Sequence, residues 1–430
     1  MTTGAHGMTL DLAYARRQFP AFSEPSLAKQ AFFENAGGSY ACAAVIDRLG
    51  EYYRRLKVQP YYAFRASSEA GEWMDASRAR LAEYLGVTAP EVHFGPSTSQ
   101  NTYVLAQAFG RLLKPGDEII VTNQDHEANS GCWRRLAARG ITVREWCVDP
   151  DSGVLDEAQL EQLLSERTRL LTFPHASNVV AHINPVARIA ARARAAGAIS
   201  IVDGVAWAPH GLPDVAALGA DVYLFSLYKT YGPHQGLMVV RSGLLDRLGN
   251  EGHYFNAGEG LKRLVPAGPD HAQVAAARGI AEYFDALDSH HNPPGDAVAP
   301  GARAERVRSL LRAAELPLLA PLLDYLAARR DVRLLGPARA AQRAATASFV
   351  PTTPEPGAVV QALAQRGFMA GHGNFYAVRL LEGMQVDATR GAVRLSLLHY
   401  NSAAEVTAVI AALDQILGRT HHQSHAIHQE

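Results

Sequence analysis

Lysine is nearly absent from this chain. Among 430 residues only Lys29, Lys57, Lys114, Lys229 and Lys262 carry an ε-amine, and arginine supplies the rest of the 41 basic side chains. With 42 acidic residues the formal net charge is -1, which argues against nucleic acid or an anionic membrane as the main partner. Cysteine is equally sparse. Cys42, Cys132 and Cys147 are odd in number, far apart and form no CxxC, which suits a reducing compartment and excludes a zinc site built on cysteine. No apolar run reaches the length of a membrane span, and the opening MTTGAHGMTLDLAYARRQFP shows no secretory pattern, so a cytoplasmic location is expected. A chain of this length buries a large core and is expected to form two domains.

Four of the five lysines have ordinary surroundings. Lys29 lies near the N-terminus, Lys57 follows two arginines, Lys114 opens the turn KPGD and Lys262 stands beside Arg263. Lys229, in FSLYKTYGPHQG, follows an apolar stretch at 222–225 that reads as a strand, and it precedes a Gly-Pro turn. An amine at that strand end sits among aromatic neighbours, where loss of water lowers its pKa and makes it a nucleophile toward carbonyls. Pyridoxal 5′-phosphate (PLP) requires such an amine; the competing reading is a lysine whose stem follows the strand while its amine reaches water. Asp203, in AISIVDGVAWAPHG, adds weight to the first. Residues 198–202 read as a buried parallel strand, which puts Asp203 at its carboxyl end, where open α/β sheets bind ligands. A carboxylate there can keep a pyridinium nitrogen protonated; its alternative role is a helix cap. The 26-position step from Asp203 to Lys229 matches one strand–crossover–strand unit.

Strand-like segments at 92–94, 118–122, 142–148, 169–173, 198–202, 221–225 and 236–241 alternate with helical stretches such as 186–196. This is the pattern of an α/β fold with a mostly parallel sheet covered on both faces. The turn GPHQG is too short for a crossover, so the last strand is expected to be antiparallel. A Pro- and Gly-rich break, HNPPGDAVAPG at 291–301, reads as an exposed hinge. Beyond it a long helix, strands at 332–335, 347–350 and 392–398, and a helix at 403–417 predict a smaller α+β unit. The tail HHQSHAIHQE carries His421, His422, His425 and His428 and reads as a disordered end rather than a metal site.

Other strand ends carry polar groups to the same edge. In FGPSTSQNT a strand gives way to a helix start at Ser97 and Thr98, whose free N–H groups and hydroxyls suit a phosphate, or simply cap the helix. The strand at 118–122 runs into NQDHEAN, which brings His126 to the edge as a ring able to stack on a planar cofactor. The strand at 169–173 runs into PHASNVVAHINP, where Asn178 is a donor for a phenolate oxygen or an Asx-turn residue.

With FFENAGGS, DHEAN, HASNVVAHINP, VDGVAWAPHG, FSLYKTYGP and VRLSLLHYNSAAEV on the page, the chain from about Phe32 to Leu417 resembles the class V aminotransferase family of fold-type I PLP enzymes, within it the cysteine-desulfurase-like branch. The resemblance implies that Lys229 forms the Schiff base, Asp203 pairs with the pyridine nitrogen, His126 stacks on the ring and Asn178 contacts its hydroxyl. It implies Ser97, Thr98 and Ser226 on the phosphate, and Arg394 and Asn35 on the substrate, with Arg394 gripping its carboxylate. It also implies a homodimer, with Ala267, Gly268 and Pro269 reaching the partner's cofactor. The expected organisation is an N-terminal segment, 1–45, on the small domain, a PLP-binding large domain, 46–290, a small domain, 302–420, and a disordered tail, 421–430.

Departures from the family pattern fall on the substrate side. Desulfurases carry a mobile-loop cysteine that accepts sulfur; the corresponding segment here is MAGHGNFYA, with Asn374 near that place and no cysteine. A second arginine is replaced by Met369, a glutamine by Ala206, and the histidine before the lysine by Tyr228. The expected reaction is Cα deprotonation of an amino acid or its S-conjugate followed by β-elimination of sulfur, a C–S lyase without a persulfide cysteine. Transamination and epimerisation use the same residues. A nicotinamide-binding protein would instead need GxGxxG after its first strand, where FGPSTSQN stands. A non-catalytic scaffold of this fold would need neither Lys229 nor Asp203.

Overall fold

A computed structural model describes residues 9–292 and 299–418. Its strands are β1 (Ala31–Phe32), β2 (Val92–Gly95), β3 (Glu118–Thr122), β4 (Thr142–Trp146), β5 (Thr168–Pro174), β6 (Ile199–Asp203), β7 (Val222–Ser226), β8 (Gly236–Val240), β9 (Val332–Leu335), β10 (Thr346–Pro351), β11 (Phe368–Met369), β12 (Gly371–Gly373) and β13 (Ala392–Ser396). Seven form one sheet in the order β2-β8-β7-β6-β5-β3-β4. Its neighbours from β7 to β4 pair in parallel, whereas β8 runs antiparallel to both β7 and β2. The nine residues, 227–235, that join β7 to β8 are too few for a parallel crossover, so the pair runs antiparallel.

Helices on both faces bury this sheet. Alternate residues of one strand therefore feed different cores: Tyr223 and Phe225 of β7 pack into one cluster, Val222 and Leu224 into the other. All four are 0% exposed, and each stabilises the fold by roughly 1.5–3 kcal/mol on burial. Because both faces are dry, the strands read as continuous apolar runs, and the edge at their carboxyl ends is left for polar chemistry.

The second sheet, β12-β13-β10-β9, is antiparallel and lies against the helix Pro300–Ala327 and the helix Ala403–Ile416. In it Arg394 of β13 stands opposite Ser348 of β10 and Gly371 of β12. A two-stranded parallel ladder, β1-β11, ties the N-terminal segment to this region. Chain leaving β1 runs across the end of β13, where Glu34 bridges Ser396. The predicted strands at 142–148 and 392–398 end two residues early. The chain turns away where Cys147 N–H donates to Gln159 and where Leu397 N–H donates to the Ala345 carbonyl. Residues 293–298 of the predicted hinge, and the tail with its four histidines, lie outside the described residues. Among the described residues no helix is long and apolar enough to cross a membrane.

Candidate active site

The carboxyl ends of β3, β5, β6 and β7 converge on one cleft of about 530 Å³, open on one side to solvent, which the start of the helix Thr98–Gly110 completes. Ser97, Thr98, His126, Asn178, Asp203, Ser226 and Lys229 all line it, as do Ala206 and Tyr228. Seven residues singled out from sequence, spread over more than 130 positions, thus share one wall.

At the helix start, Ser97 is the N-cap: its hydroxyl accepts from the Gln100 N–H at 3.1 Å. The hydroxyls of Thr98 and Ser226 meet at 2.8 Å, linking the helix to the end of β7. The first turn, whose backbone N–H groups lack partners within the helix, contributes Thr98 and Ser99 to the cleft lining, an arrangement suited to a phosphate. Gly236 is required beside them. A Cβ there would stand 2.4 Å from the Ser97 carbonyl carbon and the Thr98 nitrogen, so any side chain would force the turn off β8.

Asp203 ends β6 and is 6% exposed, its Oδ1 accepting from the Val205 N–H at 2.8 Å. Burial pushes its carboxyl up to about 6, with the Val205 hydrogen bond and nearby Lys229 pulling the other way. Lys229 sits on a single 3-10 turn after β7. Burial pulls its amine down to about 8, aided by Arg394 and opposed by Asp203 and Glu34. The fold thus places an acid of raised pKa and an amine of lowered pKa in one cleft, the kind of opposed perturbation found where side chains do chemistry.

His126 is held below its ordinary pKa, at about 4, by burial and by the charges of Lys229 and Arg394. Its Nδ1 accepts from the Ala128 N–H at 3.0 Å, so the neutral ring carries its proton on Nε2. Asn178 donates from Nδ2 to the Phe375 carbonyl at 2.9 Å, while its Oδ1 is buried with no partner among the described residues. That bond fixes the amide orientation and commits one of the two N–H groups read from sequence as ring-hydroxyl donors.

The residues assigned to substrate stand apart from this lining. Asn35, 2% exposed, donates to the Ser396 carbonyl at 2.8 Å and accepts from the Tyr400 hydroxyl, so its amide clamps the N-terminal segment onto β13. Asn35 does line a small cavity adjoining Lys229. Arg394 lies behind Phe375, whose ring centre is 4.0 Å from the guanidinium carbon, and donates to Glu34 Oε1 at 2.5 Å. Tyr376, on the same segment, stands 5.3 Å from the His126 ring, and its carbonyl accepts from the Glu127 N–H. Glu34, Phe375 and Tyr376 were not singled out from sequence. Glu34 lies inside FFENAGGS, where two glycines within reach of an acid were the available signal.

These residues fit a phosphorylated planar aldehyde. The helix start suits an anion, Asp203 is a buried acid bonded only through Oδ1 to the Val205 N–H, Lys229 is an amine of lowered pKa, and His126 is a neutral ring beside them.

The sequence matches the family described as Aminotransferase class-V over residues 31–254 and 310–409. It is 33% identical over 415 residues to the Aminotransferase-like protein FGM3 of Gibberella zeae, covering 94% of this chain and 97% of that one. It is 32% identical over 411 residues to a probable cysteine desulfurase of Pseudomonas aeruginosa, covering 94% and 97%. Among solved structures, the apo cysteine desulfurase of Thermococcus onnurineus NA1 superposes with a TM-score of 0.82 at 22% identity, covering 97% of this chain and 99% of that one, a likeness of fold. The cysteine desulfurase CsdA of Escherichia coli gives 0.78 at 25% identity, covering 95% and 99%. The chain belongs to the class-V aminotransferase family of PLP-dependent enzymes, in its cysteine-desulfurase-like branch.

Proposed function

We propose that this enzyme binds PLP on Lys229 and acts as a C–S lyase on an α-amino acid or its S-conjugate, with no enzyme cysteine taking the sulfur. The observation that carries the reading is the pairing of two opposed perturbations in one cleft, an acid raised to about 6 and an amine lowered to about 8, beneath a segment, 369–377, that has no cysteine.

Bound PLP supplies an electron sink for the pair left at Cα when its proton departs. The other work falls to the protein. Ser97 and Thr98 at the helix start, with Ser226 at the end of β7, would hold the phosphate, and Asp203 would keep a proton on the ring nitrogen. His126, neutral and flat, would stack on the ring, and Asn178 would orient the ring hydroxyl. Arg394 takes the substrate carboxylate. Lys229, near neutrality, accepts the Cα proton as general base. The Cβ–S bond then breaks with its electron pair going to sulfur, and water completes the balance: cysteine plus water gives pyruvate, ammonia and hydrogen sulfide. Cys132 is buried and its thiol pushed up to about 12 by burial, so it offers no thiolate for a relay.

Residues 46–290 are read as the cofactor domain and 302–420 as the smaller one, in a cytoplasmic homodimer. Support for the dimer comes from a groove containing Ala267, Gly268 and Pro269, beside which Tyr61, Tyr62 and Tyr254 are 58, 60 and 88% exposed. The test is incubation of cofactor-loaded protein with cysteine, S-conjugates and a panel of other amino acids. Pyruvate with ammonia and a free thiol establishes elimination. A keto acid formed while the cofactor gains the amino group establishes transamination, inverted substrate establishes epimerisation, and silence toward every amino compound leaves the scaffold reading.

A further inference from the structure

Arg394 is 3% exposed and held on three sides. Nη2 donates to Glu34 Oε1 at 2.5 Å, Nη1 donates to the Asn178 carbonyl at 3.2 Å, and the Phe375 ring covers one face. The pairing with Glu34 is monodentate. Arg394 Nε and Glu34 Oε2 are both buried, and neither has a hydrogen-bond partner among the described residues. A second bond between those two atoms would complete the fork in which carboxylate and guanidinium pair best, and the backbone leaves it unmade. Space is nevertheless shaped around the glutamate. A Cβ on Gly37 would stand 2.6 Å from Glu34 Oε1, and one on Gly371 would stand 2.4 Å from Oε2.

We propose that Glu34 is a built-in competitor for the substrate carboxylate: it occupies the Nη2 corner of Arg394 until an incoming carboxylate takes both Nη2 and Nε, and it thereby sets the affinity for amino-acid substrates. The inference rests on the amino-acid reading of the site given above. Three features favour the exchange. The incoming group makes two charge-assisted bonds where Glu34 makes one, and it satisfies the orphaned Nε. Phe375 covers the guanidinium face and leaves its in-plane edge for approach. The Glu34 side chain is 28% exposed against 4% for that of Arg394, so the displaced carboxylate can return to water while the arginine stays in place. With Glu34 present, the guanidinium is not left as an unpaired buried charge between turnovers, a state that is strongly destabilising.

The experiment is a titration of cofactor-loaded wild-type protein, Glu34→Gln and Glu34→Ala with L-alanine and with L-alaninamide, which carry no leaving group on Cβ, following the ligand-induced change in the visible absorbance of the bound cofactor. Circular dichroism checks that both variants are folded. The dissociation constant of the acid is expected to fall about tenfold in the variants, the scale of one charge-assisted bond, while that of the amide changes by less than about twofold. An acid affinity that is unchanged or weaker in both variants overturns the proposal; in the weaker case Glu34 only positions Arg394. If neither ligand perturbs the absorbance of any of the three proteins, the amino-acid reading fails and this inference falls with it. An unaltered acid-to-amide ratio in proteins that do respond overturns this inference alone.

Discussion

Asp203 ends β6 and Lys229 lies three residues beyond the end of its parallel neighbour β7, and each bears on the other's proton: the amine pulls the Asp203 carboxyl down, and the carboxylate holds the Lys229 amine up, against the larger effect of burial on both. Neither group reaches its ordinary pKa. In the cofactor-free protein this has a cost. A carboxyl whose folded pKa exceeds its unfolded value destabilises the fold where it is ionised in both states, above about 6, and the penalty disappears as pH falls through 6 toward 4. Asp203→Asn is expected to stabilise the cofactor-free protein at pH 7–8 by on the order of 3 kcal/mol, with the gain shrinking below pH 6. Thermal melts of both proteins across that range check the sign. In the loaded enzyme the same substitution is expected to suppress turnover.

Lys229 has the opposite sign. Its folded pKa lies below the ordinary value of 10.5, at about 8, so the neutral amine becomes available roughly where most lysines remain fully charged. Recombination of cofactor-free protein with PLP is expected to accelerate with pH along a single titration centred near 8. A profile that keeps rising past pH 10 would contradict the enclosure of the amine.

Thr98 and Ser226 share a hydrogen bond at the place assigned to the phosphate. Substituting both by alanine removes two hydroxyls while leaving the Ser97 cap in place. PLP affinity is expected to fall by about tenfold to a hundredfold, the size of one or two hydrogen bonds to a charged group. Pyridoxal lacking the phosphate should bind both proteins alike, and equilibrium dialysis measures each case.

Phe375 and Tyr376 both adopt left-handed backbone, at φ 51° and 56°, where a side chain costs roughly 1–2 kcal/mol per residue. The segment is pinned by the Asn178 amide on the Phe375 carbonyl and the Glu127 N–H on the Tyr376 carbonyl. Asn178→Ala removes one pin and is expected to speed chymotryptic cleavage after Phe375 or Tyr376 several-fold. Equal cleavage rates in the two proteins would show that the side-chain bond does not hold the segment.

The large sheet was legible because its inner strands are buried on both faces and read as apolar runs bounded by turns, the edge strand β4 (TVREW) being the partly exposed exception; the segment 118–122 has the same bounds in sequence and fold. The wall of the cleft was legible for a related reason. Parallel strands put their carboxyl ends on one edge, so the residue after each run, His126, Asn178, Asp203 or Lys229, was placed before its neighbours were known. β1, β11 and β12 are two or three residues long and carry no period, so the passage that brings Glu34 onto Arg394 left no pattern to read. Asn35 shows the same limit. Its place in FFENAGGS marked it, but only the fold shows its amide committed to Ser396 and Tyr400.

The scarcity of lysine makes the most direct test of the central claim unusually clean. Protein loaded with PLP is reduced with borohydride, digested and mapped by mass spectrometry across its five lysines. The account requires one pyridoxyl group per chain on the peptide containing Lys229, and none in Lys229→Ala treated alike. Label spread over Lys29, Lys57, Lys114 and Lys262, or no label at Lys229, would contradict it.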